Sequence, residues 1–153
     1  MTTKTYFRGP MAIFFHTIDV DPHLKHKNAL KRWISACAIG EKRTVGTINI
    51  IFCSDDYLLD MNRQHLAHDY YTDIITFDFS VNEQISGDLY ISFDRVKDNA
   101  LKTATPLNFE TYRIIIHGVM HLCGYKDKSK SDALTMRQKE DSALLKIQQY
   151  LEI

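Results

Sequence analysis

Four short runs rich in β-branched and aromatic residues, separated by stretches with helical spacing, limit this chain's fold more than any other feature. IFFHTIDV (13–20) reads as a strand and ends at Asp21-Pro22. Leu30, Trp33, Ile34, Cys37 and Ala38 then recur at three- and four-residue steps, predicting an amphipathic helix over 24–39 closed by Gly40. TVGTINIIF (44–52) is a second strand. Ser54 is placed to cap a helix reaching Leu66, with Asp55 and Asp56 complementing its N-terminal dipole. In TDIITFDF (72–79), Ile75, Phe77 and Phe79 alternate with Ile74, Thr76 and Asp78. DLYISF (88–93) alternates again, so the two should form a hairpin across VNEQISG. Asp94 is the expected cap of a helix to Thr103, and further helices are expected over 108–123 and 131–150. The order βαβαββααα implies an α+β single domain: a small mixed sheet of about four strands packed against about five helices.

A length of 153 residues suits one domain, and 44% apolar with 25% charged residues is ordinary globular composition. The formal net charge is zero, so any RNA must be held by a local basic patch rather than a global field. Cys37, Cys53 and Cys123 are odd in number, with no CxxC, which argues against a disulfide framework and fits a reducing cytoplasm. No apolar run is long enough to span a bilayer, and no signal peptide is evident. MTTKTYFRGP (1–10) reads as a disordered arm ahead of one domain over 11–153, with Met11 a candidate alternative start.

The chemistry concentrates in HGVMHLCGYKD (117–127). His117 and His121 stand about 40° apart around a helix axis, so they share a face and can grip one tetrahedral metal. Seven histidines make such a pair unsurprising by chance, and two partly buried helix histidines are the plain alternative. Gly118, inside the helix, costs roughly 1 kcal/mol relative to alanine and so marks close approach by a backbone or ligand. Gly124 suits the left-handed position that reverses the chain, which could return Asp127 toward the histidines. Two helix ligands and one loop ligand leave a position open, as in a catalytic zinc site. Taken alone, Asp127 between Lys126 and Lys128 would instead be a solvated carboxylate. Cys123 falls about 240° from His117 and belongs to the core. Arg113, four residues before His117, shares its edge and is a candidate phosphate contact, or else a surface arginine. The residue after His117 is glycine, so the HExxH metalloprotease arrangement is absent.

HGVMHLCGYKD resembles the signature of the YbeY family of bacterial endoribonucleases, commonly HGxLHLxGYDH. TDIITFDF is similar to that family's T-D-V-L-S-F strand, and SGDLYIS to its G-D-I-x-I-S strand, in the same order across roughly residues 45–145. The resemblance implies a single-strand-specific, zinc-dependent endoribonuclease acting in 16S rRNA 3′-end maturation and ribosome quality control. Its expected partners are ribosomal RNA and the small ribosomal subunit, with no membrane or DNA. The implied metal ligands for one zinc per chain are His117, His121 and Asp127, with aspartate where the family has its third histidine. The family's arginine ahead of the T-D block falls on Leu66, leaving Arg63 or Arg113 to substitute. His68 suits proton transfer, or is an exposed loop histidine. Thr72, Asp73 and Asp88 are expected either at the sheet edge facing the metal or as turn and cap residues. The rival readings are a non-enzymatic ribosome-assembly factor with structural zinc, and a metallohydrolase of another substrate.

Overall fold

The computed structural model describes residues 12–151, so the expected arm over 1–10 and Met11 lie outside the described residues. Within it the elements are β1 (Ala12–Ile18), α1 (Lys27–Gly40), β2 (Thr44–Cys53), α2 (Asp55–Leu66), β3 (Ile74–Asp78), β4 (Gln84–Ser92), α3 (Phe93–Thr103), α4 (Leu107–Leu122) and α5 (Lys130–Leu151). The strands form one mixed sheet ordered β1-β2-β4-β3. β1 and β2 pair in parallel with Ile13 opposite Ile48, and β2 and β4 in parallel with Ile50 opposite Leu89. β3 closes an edge antiparallel to β4, Ile75 opposite Tyr90. This is the α+β single domain the element order implied.

Period-two alternation assigns the two faces of the sheet. Ile48, Ile50 and Phe52 of β2, with Ile85, Leu89 and Ile91 of β4, are buried in one core with Leu30, Trp33 and Ile34 of α1. Ile115, Ile116 and Val119 of α4 and Met136, Ala143 and Ile147 of α5 complete it. Each such side chain contributes about 1.5–3 kcal/mol of transfer free energy, so this face supplies most of the fold's stability. The Trp33 indole donates to the Ala143 carbonyl (2.9 Å), which ties α1 to α5 without leaving a buried donor unpaired. The opposite face is thinner: Cys53, Leu58 and Ile75, flanked by Phe77 and Tyr90, pack beneath α2.

Several local expectations shift for identifiable reasons. α1 starts at Lys27 rather than 24, because His26 adopts left-handed φ 61°. β4 starts at Gln84, four residues early, because Thr44 and Val45 of the long β2 pair with Gln84 and Ile85. The hairpin thereby tightens to Asn82-Glu83, flanked by Val81 and Gln84, which hydrogen-bond each other in both directions. Phe79 falls past the end of β3 and is exposed. Asp94 does not cap α3; Ser92 does, its Oγ accepting from Arg95 N (3.3 Å). Asp94 instead accepts from Asp55 N (2.8 Å), while Ser92 Oγ donates to Asp55 (3.1 Å), so the starts of α2 and α3 satisfy each other. Ser54 caps α2 as expected, accepting from Tyr57 N. Among the described residues no helix is long and apolar enough to cross a membrane.

Candidate metal centre

The C-terminal end of α4 builds the site. Gly118 lets the helix lie against the sheet: an added Cβ would stand 2.8 Å from Ile74 Cδ1 and 2.9 Å from Leu89 Cδ1. The close approach is therefore by side chains of β3 and β4, not by a backbone or a ligand. Gly124 takes φ +101° and ends the helix. Gly124 N donates to the His121 carbonyl and Tyr125 N to that of Met120, the paired bonds of a Schellman turn. Asp127 returns from this turn over the histidine face, the return that the spacing allowed, rather than standing apart as a solvated carboxylate.

The three donor atoms converge. His117 Nε2 and His121 Nε2 lie 2.9 Å apart, with Asp127 Oδ2 at 3.1 Å from the first and 3.5 Å from the second. Among the described residues this is the group of histidine and carboxylate side chains that could hold a metal ion. The outer ring nitrogens decide whether it fits one. His121 Nδ1 sits 2.9 Å from the Tyr125 carbonyl, which can only accept, so Nδ1 donates and a neutral ring leaves Nε2 bare. His117 Nδ1 sits 2.7 Å from Glu140 Oε2, with the same consequence. Two bare nitrogens and a carboxylate oxygen thus point at one place, an arrangement that repels itself unless a cation lies between them. A divalent ion with a preference for N and O donors fits this set.

Glu140, on α5, was missed by sequence reasoning. It is only 5% exposed, yet it accepts from His117 through Oε2 and from Arg113 Nη1 through Oε1 at 3.1 Å. Burial pushes its pKa up, but the hydrogen bonds and charges of His117 and Arg113 outweigh that and hold it below the usual glutamate range. Burial likewise pulls His117 down, and is outweighed by the bond and charge of Glu140, then the charges of Asp127 and Asp73, so its net shift is upward. The available signal was register: Glu140 falls in step with Met136, Ala143 and Ile147 on the buried stripe of α5, where an acid has no place without a partner.

Arg113 also reaches Asp141 (2.9 Å), so its guanidinium is shared between two carboxylates. It borders a cavity of about 330 Å³ together with Asp73, His117, Asp127, Arg137 and Glu140. Arg137 is the more exposed of the two arginines and touches Glu140 only at 3.5 Å. His68 lies outside this cavity, in the loop after α2, where its Nδ1 and Tyr70 Oη share a hydrogen bond (3.0 Å). Arg63 pairs with Asp60 and Asp69, and Leu66 is exposed at the end of α2. Asp73 reaches the cavity, but Asp88 does not face α4. It lies on the α2 side of β4, where it accepts from Asn49 Nδ2 (3.0 Å), since strand alternation puts Leu89, not Asp88, beneath the helix. Thr72 bonds locally to the Ile74 carbonyl, as a turn residue does. Cys123 is buried in the core, its thiol pushed up to about 11 chiefly by burial, and is not a donor to the centre.

Fold and site together define a single-domain α+β protein with a candidate His₂Asp metal centre at the end of a core helix. The sequence pattern of the family described as endoribonuclease YbeY matches residues 16–148, and the chain belongs to that family. The protein of that name from Flavobacterium psychrophilum is 46% identical over 126 residues, 82% of this chain and 90% of its own length. Its namesake from Cytophaga hutchinsonii is 48% identical over 133 residues, 86% and 93% of the two chains. The solution structure of TM1509 from Thermotoga maritima superposes with a TM-score of 0.64 over 88% of each chain, at 24% identity, which bears on the fold alone.

Proposed function

We propose that this protein is a metal-dependent endoribonuclease cleaving single-stranded RNA, with ribosomal RNA of the small subunit as its substrate in 16S 3′-end maturation and ribosome quality control. The observation that carries the proposal is the convergence of His117 Nε2, His121 Nε2 and Asp127 Oδ2 beside a cavity, in a chain of an endoribonuclease family. Zinc is the ion proposed, one per chain, in a cytoplasmic protein. Bound there, it would supply Lewis-acid polarisation of a phosphoryl oxygen and a nucleophile near neutral pH.

The chain's own residues do the rest. Glu140 and the Tyr125 carbonyl hold the two imidazoles in the tautomer that presents Nε2. Arg113 secures Glu140 while placing positive charge at the cavity wall, and Arg137 adds a second cation at its rim, where phosphate would lie. His68 is the candidate for proton transfer through Nε2, since its bond to Tyr70 occupies only Nδ1. The alternative of a structural zinc in an assembly factor is disfavoured by three protein donors rather than four among the described residues. Cleavage of single-stranded RNA by the purified protein and by His117→Ala, with metal content measured on both, tests the reading. The variant should lose bound metal and at least a hundredfold in rate; equal cleavage by the two would end it.

A further inference from the structure

The loop joining α2 to β3 presents aromatic rings to solvent while its backbone is held firmly. Its start is fixed by Ala67 in the left-handed region at φ 54° and by His68 N donating to the Asn62 carbonyl. Asn62, only 2% exposed, donates its side-chain amide to the Tyr70 carbonyl at 2.9 Å, and Arg63 pairs with Asp69. A buried amide thus anchors the backbone at Tyr70, yet the Tyr70 side chain is 55% exposed. The Tyr70 ring stacks on His68, centroids 5.1 Å apart and planes 20° from parallel, and the same two residues share the Oη–Nδ1 hydrogen bond. Stacking and hydrogen bond together fix both rings in one orientation. Beside them Tyr71 is held by Asp56 and by the Arg95 guanidinium, 4.9 Å from its centroid.

A rigid, exposed aromatic pair contributes little to a core. It suits a flat, unstacked π-system, which is what a base of single-stranded RNA offers. Position supports that occupant. Asp73, three residues after Tyr70, lines the cavity of the metal centre, so the chain keeps their Cα atoms within about 11 Å. A strand with one phosphate at the metal centre would bring the base of a nearby nucleotide over Tyr70.

We infer that Tyr70, buttressed by His68, is a nucleobase-stacking subsite that holds one unpaired base of the RNA next to the scissile phosphate. This rests on the nuclease reading above and adds to it a residue that sets where the strand sits. The subsite contacts the π-face common to all bases, so it selects unpaired over paired RNA rather than one base over another.

The test uses the full chain carrying His117→Ala, so that RNA is bound without being cut. Affinity for a short labelled single-stranded RNA is followed by fluorescence anisotropy across a salt series. Adding Tyr70→Ala should weaken binding roughly 5- to 150-fold, while Tyr70→Trp should stay within about threefold of the parent because a ring remains. The slope of log affinity against log salt should not change, since no phosphate-contacting cation is removed. An abasic site moved along the RNA should abolish the difference between parent and Tyr70→Ala at one position. Equal affinities for parent and Tyr70→Ala would overturn the subsite, as would failure of Tyr70→Trp alongside Tyr70→Ala or a shallower salt slope. Tyr70→Ala keeps the anchored carbonyl, and an unchanged melting curve establishes that it folds. If the parent fold cleaves RNA while Tyr70→Ala matches it in binding, the subsite falls and the nuclease stands. If the unsubstituted chain neither binds nor cleaves RNA, both fall.

Discussion

Glu140→Gln is the substitution most informative about how the centre is held, because it alters one charge and almost no volume. The carboxylate has two strong partners: Oε2 accepts from His117 Nδ1 at 2.7 Å and Oε1 from Arg113 Nη1 at 3.1 Å. A glutamine offers one carbonyl oxygen and one amide nitrogen. If its oxygen stays on His117, the amide meets the Arg113 guanidinium donor to donor; if it turns over, the amide meets the His117 N–H instead. One charge-assisted bond, worth about 1.5–3 kcal/mol, is lost outright and the other weakens to a neutral one. Stranding a buried charge costs about 3–5 kcal/mol, but Arg113 keeps Asp141 at 2.9 Å, so the loss falls below that ceiling. The expected destabilisation is about 2–3 kcal/mol, a fall in Tm of about 5–10 °C for a chain of this size.

The second readout separates scaffold from site. With the glutamine oxygen kept by the Arg113 guanidinium, its amide faces His117 Nδ1, which then accepts, and the proton moves to Nε2, the nitrogen needed as a donor to metal. Affinity for zinc, measured by competition with a chromophoric chelator at neutral pH, should fall about 10- to 100-fold. Glu140→Asp keeps the charge on a shorter arm and should recover part of that loss. A Glu140→Gln protein that binds zinc as tightly as the parent would refute the argument that this carboxylate sets the imidazole's tautomer, whatever its Tm. An unchanged Tm would refute the claim that the network is a buried one.

The same pair fixes the sign of the pH response in chelated protein. His117 is raised from its ordinary value of 6.5, so its contribution is complete below 6.5 and is lost as pH rises through the folded value. Glu140 is lowered from 4.5, so its contribution is complete above 4.5 and is lost as pH falls through the folded value. Chelated protein should therefore lose Tm as pH rises past 6.5 and through the raised His117 value in thermal melts, and Glu140→Gln should show less of that loss. Asp127→His replaces a hard, charge-cancelling donor with a neutral one, so selectivity for zinc over manganese should rise by competition titration. No change in either affinity would mean that Asp127 is not a ligand.

What the sequence disclosed about the site follows the range over which each part is determined. The α4 terminus and the turn at Gly124 are set within eleven residues, and spacing located them; for Asp127 spacing left a return to the histidines and a solvated carboxylate both open, and only the family resemblance chose between them. Glu140 is 23 positions from His117, joined to it only because α5 packs on α4, so no local pattern names the pair. The register clue existed, an acid among Met136, Ala143 and Ile147, but it asks for some buried partner without saying which. Asp88 went astray at the same level. Alternation along β4 correctly separated two sets of side chains, and tertiary packing chose which set meets the helix. Ser92 displaced Asp94 as a cap because β4 runs directly into α3, leaving no loop in which the aspartate could stand before the first turn.

The geometry around the proposed ligands shows why position 127 can carry an aspartate while the two helix positions are constrained. An imidazole ligand needs an acceptor behind it to fix its tautomer, and the centre supplies two: the Glu140 carboxylate for His117 and the Tyr125 carbonyl for His121. A third imidazole would need a third acceptor behind it. A carboxylate has no tautomer to fix and can stand partly in solvent, as Asp127 does. Of the three proposed ligand positions, the one on the exposed return segment is thus the position where aspartate can stand in place of histidine without a new partner behind it. The two on the helix are tied to α5 and to the turn through their own outer nitrogens.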